Sequence, residues 1–276
     1  MNITFVGGGN MATALIGGML KKGWTADAIR VVDSDPAARD RLARVFRVQV
    51  HADLASGVAG AECILLAVKP QQLQAVARAL APLVADALVL TIAAGIRVSA
   101  LSRWLDGHSR IVRAMPNTPA LVLCGMTGLY AAPVVTQRDR TSAEQILGVA
   151  GTSLWVDRED ELDGITAVSG SGPAYVFYFI EALQQAATEL GFDEGAARSL
   201  ALQTFSGSVK LAVESNEPVA ELRVRVTSKG GTTERALSEL ERNGVRAAIV
   251  SAVHAAAEHS RELGDALGKD ATGGAG

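Results

Sequence analysis

The sequence predicts an α/β protein, with an N-terminal parallel-sheet domain followed by an all-helical domain. Three observations carry this. Short apolar runs alternate with helical patterns through the first half. The first run, Ile3-Thr4-Phe5-Val6, drives straight into Gly7-Gly8-Gly9-Asn10-Met11-Ala12. Near residue 160 the strand signals stop and alanine-rich helical patterns take over.

The elements follow in order. Ile3-Thr4-Phe5-Val6 is β-branched and aromatic, suited to a buried strand, and residues 11–22 form the first helix, stopped by Gly23. Arg30-Val31-Val32-Asp33 is the second strand, followed by a polar helix from Pro36; residues 48–50 add a short third strand. Cys63-Ile64-Leu65-Leu66-Ala67-Val68 precedes Lys69-Pro70 and a helix over 71–80. Leu88-Val89-Leu90-Thr91-Ile92 ends at Ala93-Ala94-Gly95, and Ile111-Val112-Arg113-Ala114-Met115 ends at Pro116-Asn117-Thr118-Pro119. Residues 127–130 and 153–156 supply strands at the far edge. This spacing implies βαβ units and a parallel sheet covered on both faces. Helices follow over 173–190, 194–214 and 245–267. The charged stretch 158–161 divides a first domain, 1–158, from a second, 159–267, and the Gly/Ala-rich tail 268–276 reads as disordered.

Composition narrows the class. The 276 residues are 49% hydrophobic and 20% charged with a net charge of −3, a soluble globular balance. No basic tract points to nucleic acid, and no apolar run is long enough to span a bilayer. The opening stretch is a glycine turn rather than a signal peptide. Cys63 and Cys124 lie in apolar runs and read as buried and reduced, which fits the cytoplasm. In the helical half, Phe177, Ile180, Leu183 and Leu190 fall at helical spacing as a core stripe. So few helices bury modest surface alone, so at least a homodimer is expected.

The chemistry is expected at the carboxyl ends of the strands. Gly7-Gly8-Gly9-Asn10-Met11-Ala12 has the G-x-G-x-x-G/A form: Gly7 and Gly9 allow a tight turn and close approach, Ala12 packs the helix on the sheet, and the helix N-terminus suits a pyrophosphate. Asp33 either binds a ribose 2′-OH, favouring NADH, or caps the helix at Pro36. Arg39 lies one turn further on. Ala67-Val68-Lys69-Pro70, Ala93-Ala94-Gly95 and Asn117 end other strands. Lys69 either pairs with a phosphate or is a solvated lysine; Asn117 either bonds a carboxamide or caps a turn. In the helical half, Ser169-Gly170-Ser171-Gly172-Pro173-Ala174-Tyr175 and Val226-Thr227-Ser228-Lys229-Gly230-Gly231-Thr232-Thr233-Glu234 each lead into a helix. Both present small donors and backbone N–H groups that suit a carboxylate, or are simply capped helix starts.

Other signals are bland. The four histidines show no metal spacing, and no metal is expected. There is no Gly-x-Ser-x-Gly elbow and no Walker A lysine after the first glycines. Glu181 and Glu189 read as surface or interface charges.

Together these motifs resemble the Δ1-pyrroline-5-carboxylate reductase family. The likeness runs in order from Phe5-Val6-Gly7-Gly8-Gly9-Asn10-Met11-Ala12 through Ala67-Val68-Lys69-Pro70, Ile92-Ala93-Ala94-Gly95, Arg113-Ala114-Met115-Pro116-Asn117-Thr118-Pro119-Ala120 and Ser169-Gly170-Ser171-Gly172-Pro173-Ala174-Tyr175-Val176 to Thr227-Ser228-Lys229-Gly230-Gly231-Thr232-Thr233. The resemblance implies a Rossmann-like N-terminal domain, a helical dimerisation domain, and often a ring of dimers. It implies NADPH or NADH as cofactor and 1-pyrroline-5-carboxylate as the small-molecule substrate, reduced to L-proline. Ser228, Gly230, Gly231, Thr232 and Thr233 would hold the substrate, with the Thr233 hydroxyl near the ring nitrogen and Ser228 beside the carboxylate. Two positions depart from the family pattern: Lys229 stands where many members have proline, and Leu54 where some carry a cofactor-contacting asparagine. Two other readings stay open. One is a related two-domain reductase such as a β-hydroxyacid dehydrogenase, whose lysine has a counterpart only in Lys210. The other is a nucleotide-sensing module without turnover.

Overall fold

The apolar runs of the first half become the strands of one sheet. In the computed structural model, which describes residues 1–269, they are β1 (Ile3–Val6), β2 (Ile29–Val32), β3 (Gln49–His51), β4 (Cys63–Leu66), β5 (Leu88–Thr91), β6 (Ile111–Pro116), β7 (Gly125–Ala131) and β8 (Gly151–Trp155). The sheet order is β3-β2-β1-β4-β5-β6-β7-β8. Period-two alternation sends Ile3 and Phe5 into one core and Val6 into the other; Cys63 and Leu65 face the first, Ile64 and Leu66 the second. Thr4, the one polar residue of β1, is buried but donates its hydroxyl to Gly57 O at 2.8 Å, so no polar group is stranded.

Helices cover both faces. α1 (Asn10–Lys21) and α2 (Pro36–Phe46) precede α3 (Leu54–Val58), α4 (Pro70–Leu80), α5 (Val98–Trp104), α6 (Gln137–Leu147) and α7 (Glu161–Ile165). Leu15, Ile16 and Met19 of α1 and Ile146 of α6 fill one core; Leu73 and Leu80 of α4 with Leu101 and Trp104 of α5 fill the other. Each such side chain, sealed from water, contributes on the order of 2 kcal/mol.

Two expectations need correction. The sheet is not wholly parallel: β7 runs antiparallel to β6. The connection is a single short 3-10 turn, Thr118–Val122, too short for the crossover that a parallel return requires. Cys63 is buried as expected, and burial pushes its thiol pKa up. Cys124 is exposed instead. Its apolar run lies on that surface turn, closed by Leu123 in the left-handed conformation (φ 60°).

A half-exposed guanidinium secures α6 to the sheet. Arg110 Nε donates to Asp139 Oδ2 at 3.1 Å, and its Nη2 donates to Oδ1; Thr136 caps the helix by accepting from Asp139 N, and its own N–H and hydroxyl donate to Oδ2. Chiefly through Arg110, these bonds hold the buried Asp139 carboxyl down at about 2. A depressed carboxyl stabilises above its unfolded pKa and loses that contribution as pH falls through the folded one. We expect Asp139→Asn to lower stability by about 1–2 kcal/mol at neutral pH, discounted because Arg110 faces solvent. In urea unfolding the gap to the parent chain should persist above pH ~4 and close towards pH ~2.

By its contacts the chain forms two compact units, Met1–Ser171 with the described residues from Ala256 onward, and Gly172–Ala255. The second holds α8 (Gly172–Glu189), α9 (Glu194–Glu214), α10 (Val219–Arg225), α11 (Thr232–Arg242) and the start of α12 (Val245–Leu267). α8 and α9 pack side by side, turned by Gly191 at φ 97° and capped by Asp193, which accepts from Ala196 N at 2.8 Å. The expected core stripe is not buried within the chain: Phe177 is 60% and Leu190 80% exposed, and Leu183 is exposed too. A helical layer this thin has no second layer of its own to cover these faces. Among the described residues, no helix is long and apolar enough to cross a membrane. The tail expected to be disordered lies, from residue 270, outside the described residues; Gly268 within it donates its N–H to Gly264 O.

Candidate active site

The strand order reverses direction between β1 and β4, where doubly wound sheets bind ligands. The segments singled out by sequence gather there: Gly7, Gly8 and Gly9 follow β1, Ala67, Val68, Lys69 and Pro70 follow β4, Ala93, Ala94 and Gly95 follow β5, and Asn117 follows β6. These four strands are mutually parallel, so all four ends lie on one edge.

The three glycines are not equivalent. Gly7 has φ 103°, and a Cβ there would stand 2.7 Å from Ala67 O. On Gly8 it would stand 2.6 Å from Leu42 Cδ1. On Gly9 it would meet no protein atom within 4 Å. Gly9 and Asn10 are exposed, Met11 is half-buried, and α1 has no acidic residue in its first turn. A dinucleotide's pyrophosphate fits this opening: free first-turn N–H groups face it and Ala12, fully buried, seats the helix.

Asp33 does not cap α2, a task that falls to Asp35. Its Oδ2 accepts from Gly8 N at 2.7 Å and its Oδ1 from Asp35 N at 2.9 Å, tying the glycine turn to the end of β2. Two cations that carried no sequence motif flank it. Arg39 Nη1 donates to Asp33 O at 2.7 Å and to Ser34 O at 3.0 Å; Arg41 Nη2 donates to Gly8 O at 2.9 Å. Lys69 is exposed and begins α4. Leu54 starts α3 behind Asp53, whose carboxylate accepts from Ser56 N and Oγ.

Asn117 braces the loop rather than lying free. Its Nδ2 donates to Ser169 Oγ at 3.1 Å and Ser169 O at 3.2 Å, and its Oδ1 accepts from Met126 N at 2.9 Å. Ser169 sits on a single π-helical turn, Thr166–Gly170, closed by Ser171 N donating to Thr166 O at 2.8 Å.

In the helical unit, residues 228–231 form the turn before α11, which Thr232 and Thr233 open. Gly230 takes φ 74°, Gly231 N donates to Ser228 O at 3.0 Å, and Gly231 caps the helix without a side-chain bond. Ser228, Lys229 and Thr232 are exposed and Thr233 is half-buried in the first turn. Gly230 N is bonded at 2.7 Å to Glu234 Oε2, so this loop already accepts a carboxylate. Lys210 is 76% exposed and faces Glu214 at 3.9 Å, an ordinary surface pair.

The chain matches known proteins along nearly its whole length. Residues 159–263 match the family described as pyrroline-5-carboxylate reductase dimerisation, and residues 2–95 match NADP oxidoreductase coenzyme F420-dependent. The chain is 43% identical to the pyrroline-5-carboxylate reductase of Pseudomonas aeruginosa, over 97% of this chain and 98% of that protein. It is 38% identical to that of Synechocystis, over 96% and 98%. Among solved structures it is similar to a pyrroline-5-carboxylate reductase from Coxiella burnetii, with a TM-score of 0.91 and 39% identity over 95% of this chain and 98% of the other. It is also similar to the Plasmodium falciparum pyrroline carboxylate reductase solved with NADP bound, at a TM-score of 0.86 and 28% identity over 96% and 98%.

Proposed function

The chain belongs to the pyrroline-5-carboxylate reductase family, and from that membership we propose how its residues reduce 1-pyrroline-5-carboxylate to L-proline with NAD(P)H. The substrate is a cyclic imine bearing a carboxylate, so the protein must hold an anion and steady a cationic ring nitrogen. One observation supports this division of labour most directly: Glu234 already rests a carboxylate oxygen on the 228–233 loop. The first-turn N–H groups at Thr232 and Thr233, which have no intrahelical partner, and the Ser228 hydroxyl would anchor the substrate carboxylate. The Thr233 hydroxyl would accept from the ring N–H of the iminium. Protonated, the imine draws in hydride without placing negative charge on nitrogen, so positioning matters more than a strong acid. That accounts for a loop of small hydroxyls and glycines in place of a histidine or glutamate.

The cofactor would lie on Gly7, Gly8, Gly9, Asn10 and Met11, with Ala67 to Pro70 and Ala93 to Gly95 beside it. When bound, NAD(P)H supplies the hydride. At the β2 end one carboxylate, Asp33, stands beside two guanidiniums, Arg39 and Arg41. The choice between NADH and NADPH is a balance there: the carboxylate opposes a 2′-phosphate and the guanidiniums attract it. We expect Asp33→Ser to raise the NADPH-to-NADH ratio of kcat/KM about ten-fold or more, measured by following each reduced cofactor with the imine added. No imine-dependent oxidation of either cofactor by the parent chain would sink the functional reading itself.

The exposed apolar side chains of the helical unit, among them Phe177, Tyr178, Leu211 and Val213, support a homodimer formed through that unit. The two unpaired cysteines support a reducing, cytoplasmic setting.

A further inference from the structure

A buried carboxylate on α7 joins the end of α12 to the loop that follows β5. Asp163 of α7 is 2% exposed. Its Oδ1 accepts the Ser260 hydroxyl of α12 at 2.7 Å, itself buried. Its Oδ2 makes no hydrogen bond among the described residues and has Arg97 Nη2 4.0 Å away. Arg97 ends the loop after β5, and the same Nη2 donates to Asp265 Oδ1 at 3.2 Å. The helix and loop touch with almost no side chain between them. A Cβ on Gly264 would stand 3.3 Å from Gly95 O; one on Gly95, which has φ 76°, would stand 3.2 Å from Leu267 Cδ1. Below the loop, Glu159 Oε1 accepts from Val98 N at 2.7 Å and from the buried Arg113 Nη1 at 2.9 Å. The loop is therefore held from both sides, and among the described residues the Asp163 carboxylate takes its hydrogen bond from Ser260 alone.

We propose that Ser260, Asp163 and Arg97 are positioning residues that latch α12 onto Ala93, Ala94 and Gly95 and so set the wall for the nicotinamide half of the cofactor. The assignment rests on the cofactor reading given above, and sheet order orients it. Asp33 marks the adenosine side at β2, so the other half must lie beyond β4, towards β5. Gly264 and Gly95 have no side chain to fix their contact, so the buried hydroxyl–carboxylate bond supplies the register. Removing it strands a desolvated charge, which loosens the loop rather than the glycine turn at β1.

The test separates the two halves of the cofactor. Dissociation constants of NADPH and of its adenosine-side fragment, 2′-phospho-ADP-ribose, are measured on the full chain. Ser260→Ala is expected to weaken NADPH about five- to ten-fold while the fragment shifts less than about two-fold, and Ser260→Thr is expected to restore NADPH binding. Should Ser260→Ala not fold, Ser260→Cys, which fills the same space but donates only a weak hydrogen bond to Asp163, carries the same comparison. Gly95→Ala, strained at its positive φ, reports on the loop itself. If it weakens NADPH while Ser260→Ala does not, the latch is overturned and the cofactor reading stands. If neither changes NADPH binding, the loop is no cofactor wall and both fall. Equal weakening of NADPH and fragment would mark a general loosening and overturn the latch as well.

Discussion

Thr233→Ala is expected to lower kcat/KM for the imine by about 30- to 1000-fold, the range for removing one oriented hydrogen-bonding group worth about 2–4 kcal/mol in the transition state. Gly230 at φ 74° turns the chain, and Gly231 lets α11 begin without a side-chain cap. Thr233 then falls in the first turn, half-buried, beside first-turn N–H groups that can take the carboxylate. One ring face is thus fixed by the carboxylate and the nitrogen by the hydroxyl. Thr233→Ser keeps the oxygen and should retain most activity. The affinity for reduced cofactor should be unchanged in both variants, because the glycine turn is untouched. Activity of Thr233→Ala within a few-fold of the parent would remove Thr233 from the mechanism.

The glycine turn gives the second large effect, through a contrast. Gly7→Ala places a methyl 2.7 Å from the Ala67 carbonyl oxygen on a residue with φ 103°. Backbone must move, so both stability and cofactor binding should fail; the strain alone costs on the order of 1–3 kcal/mol. Gly9→Ala has an ordinary φ of −70° and meets no protein atom within 4 Å. Its thermal midpoint should match the parent, yet its affinity for NAD(P)H should fall about 100-fold, because the methyl enters the space left for the pyrophosphate. Unchanged cofactor affinity in Gly9→Ala would mean that the opening holds nothing.

Much of the fold was legible because its signals are local. The run Ile3-Thr4-Phe5-Val6 and the glycines after it declare a strand and a turn within ten residues, and α9 and α12 begin and end where their patterns do. The direction of β7 was not legible, since it depends on the short turn Thr118–Val122, whose apolar Leu121 and Val122 lie exposed on the surface. Cys124 was misjudged for the same reason. The stripe of Phe177, Leu183 and Leu190 was expected as core, yet these side chains are exposed, because helical spacing marks an apolar face and not what covers it. Within the site, the glycines carry their own steric logic, whereas Asp33 and Asn117 show their bonds only once distant backbone arrives. Ser260 and Asp163, nearly a hundred positions apart, leave no spacing to read.

The most direct test of hydride delivery to a cyclic iminium uses NAD(P)H deuterated at the transferring C4 position, with 1-pyrroline-5-carboxylate and the purified chain. Proline carrying one deuterium, at ring C5, is the expected product. Reduced cofactor left intact beside unreacted imine, or proline without the label, would contradict hydride delivery.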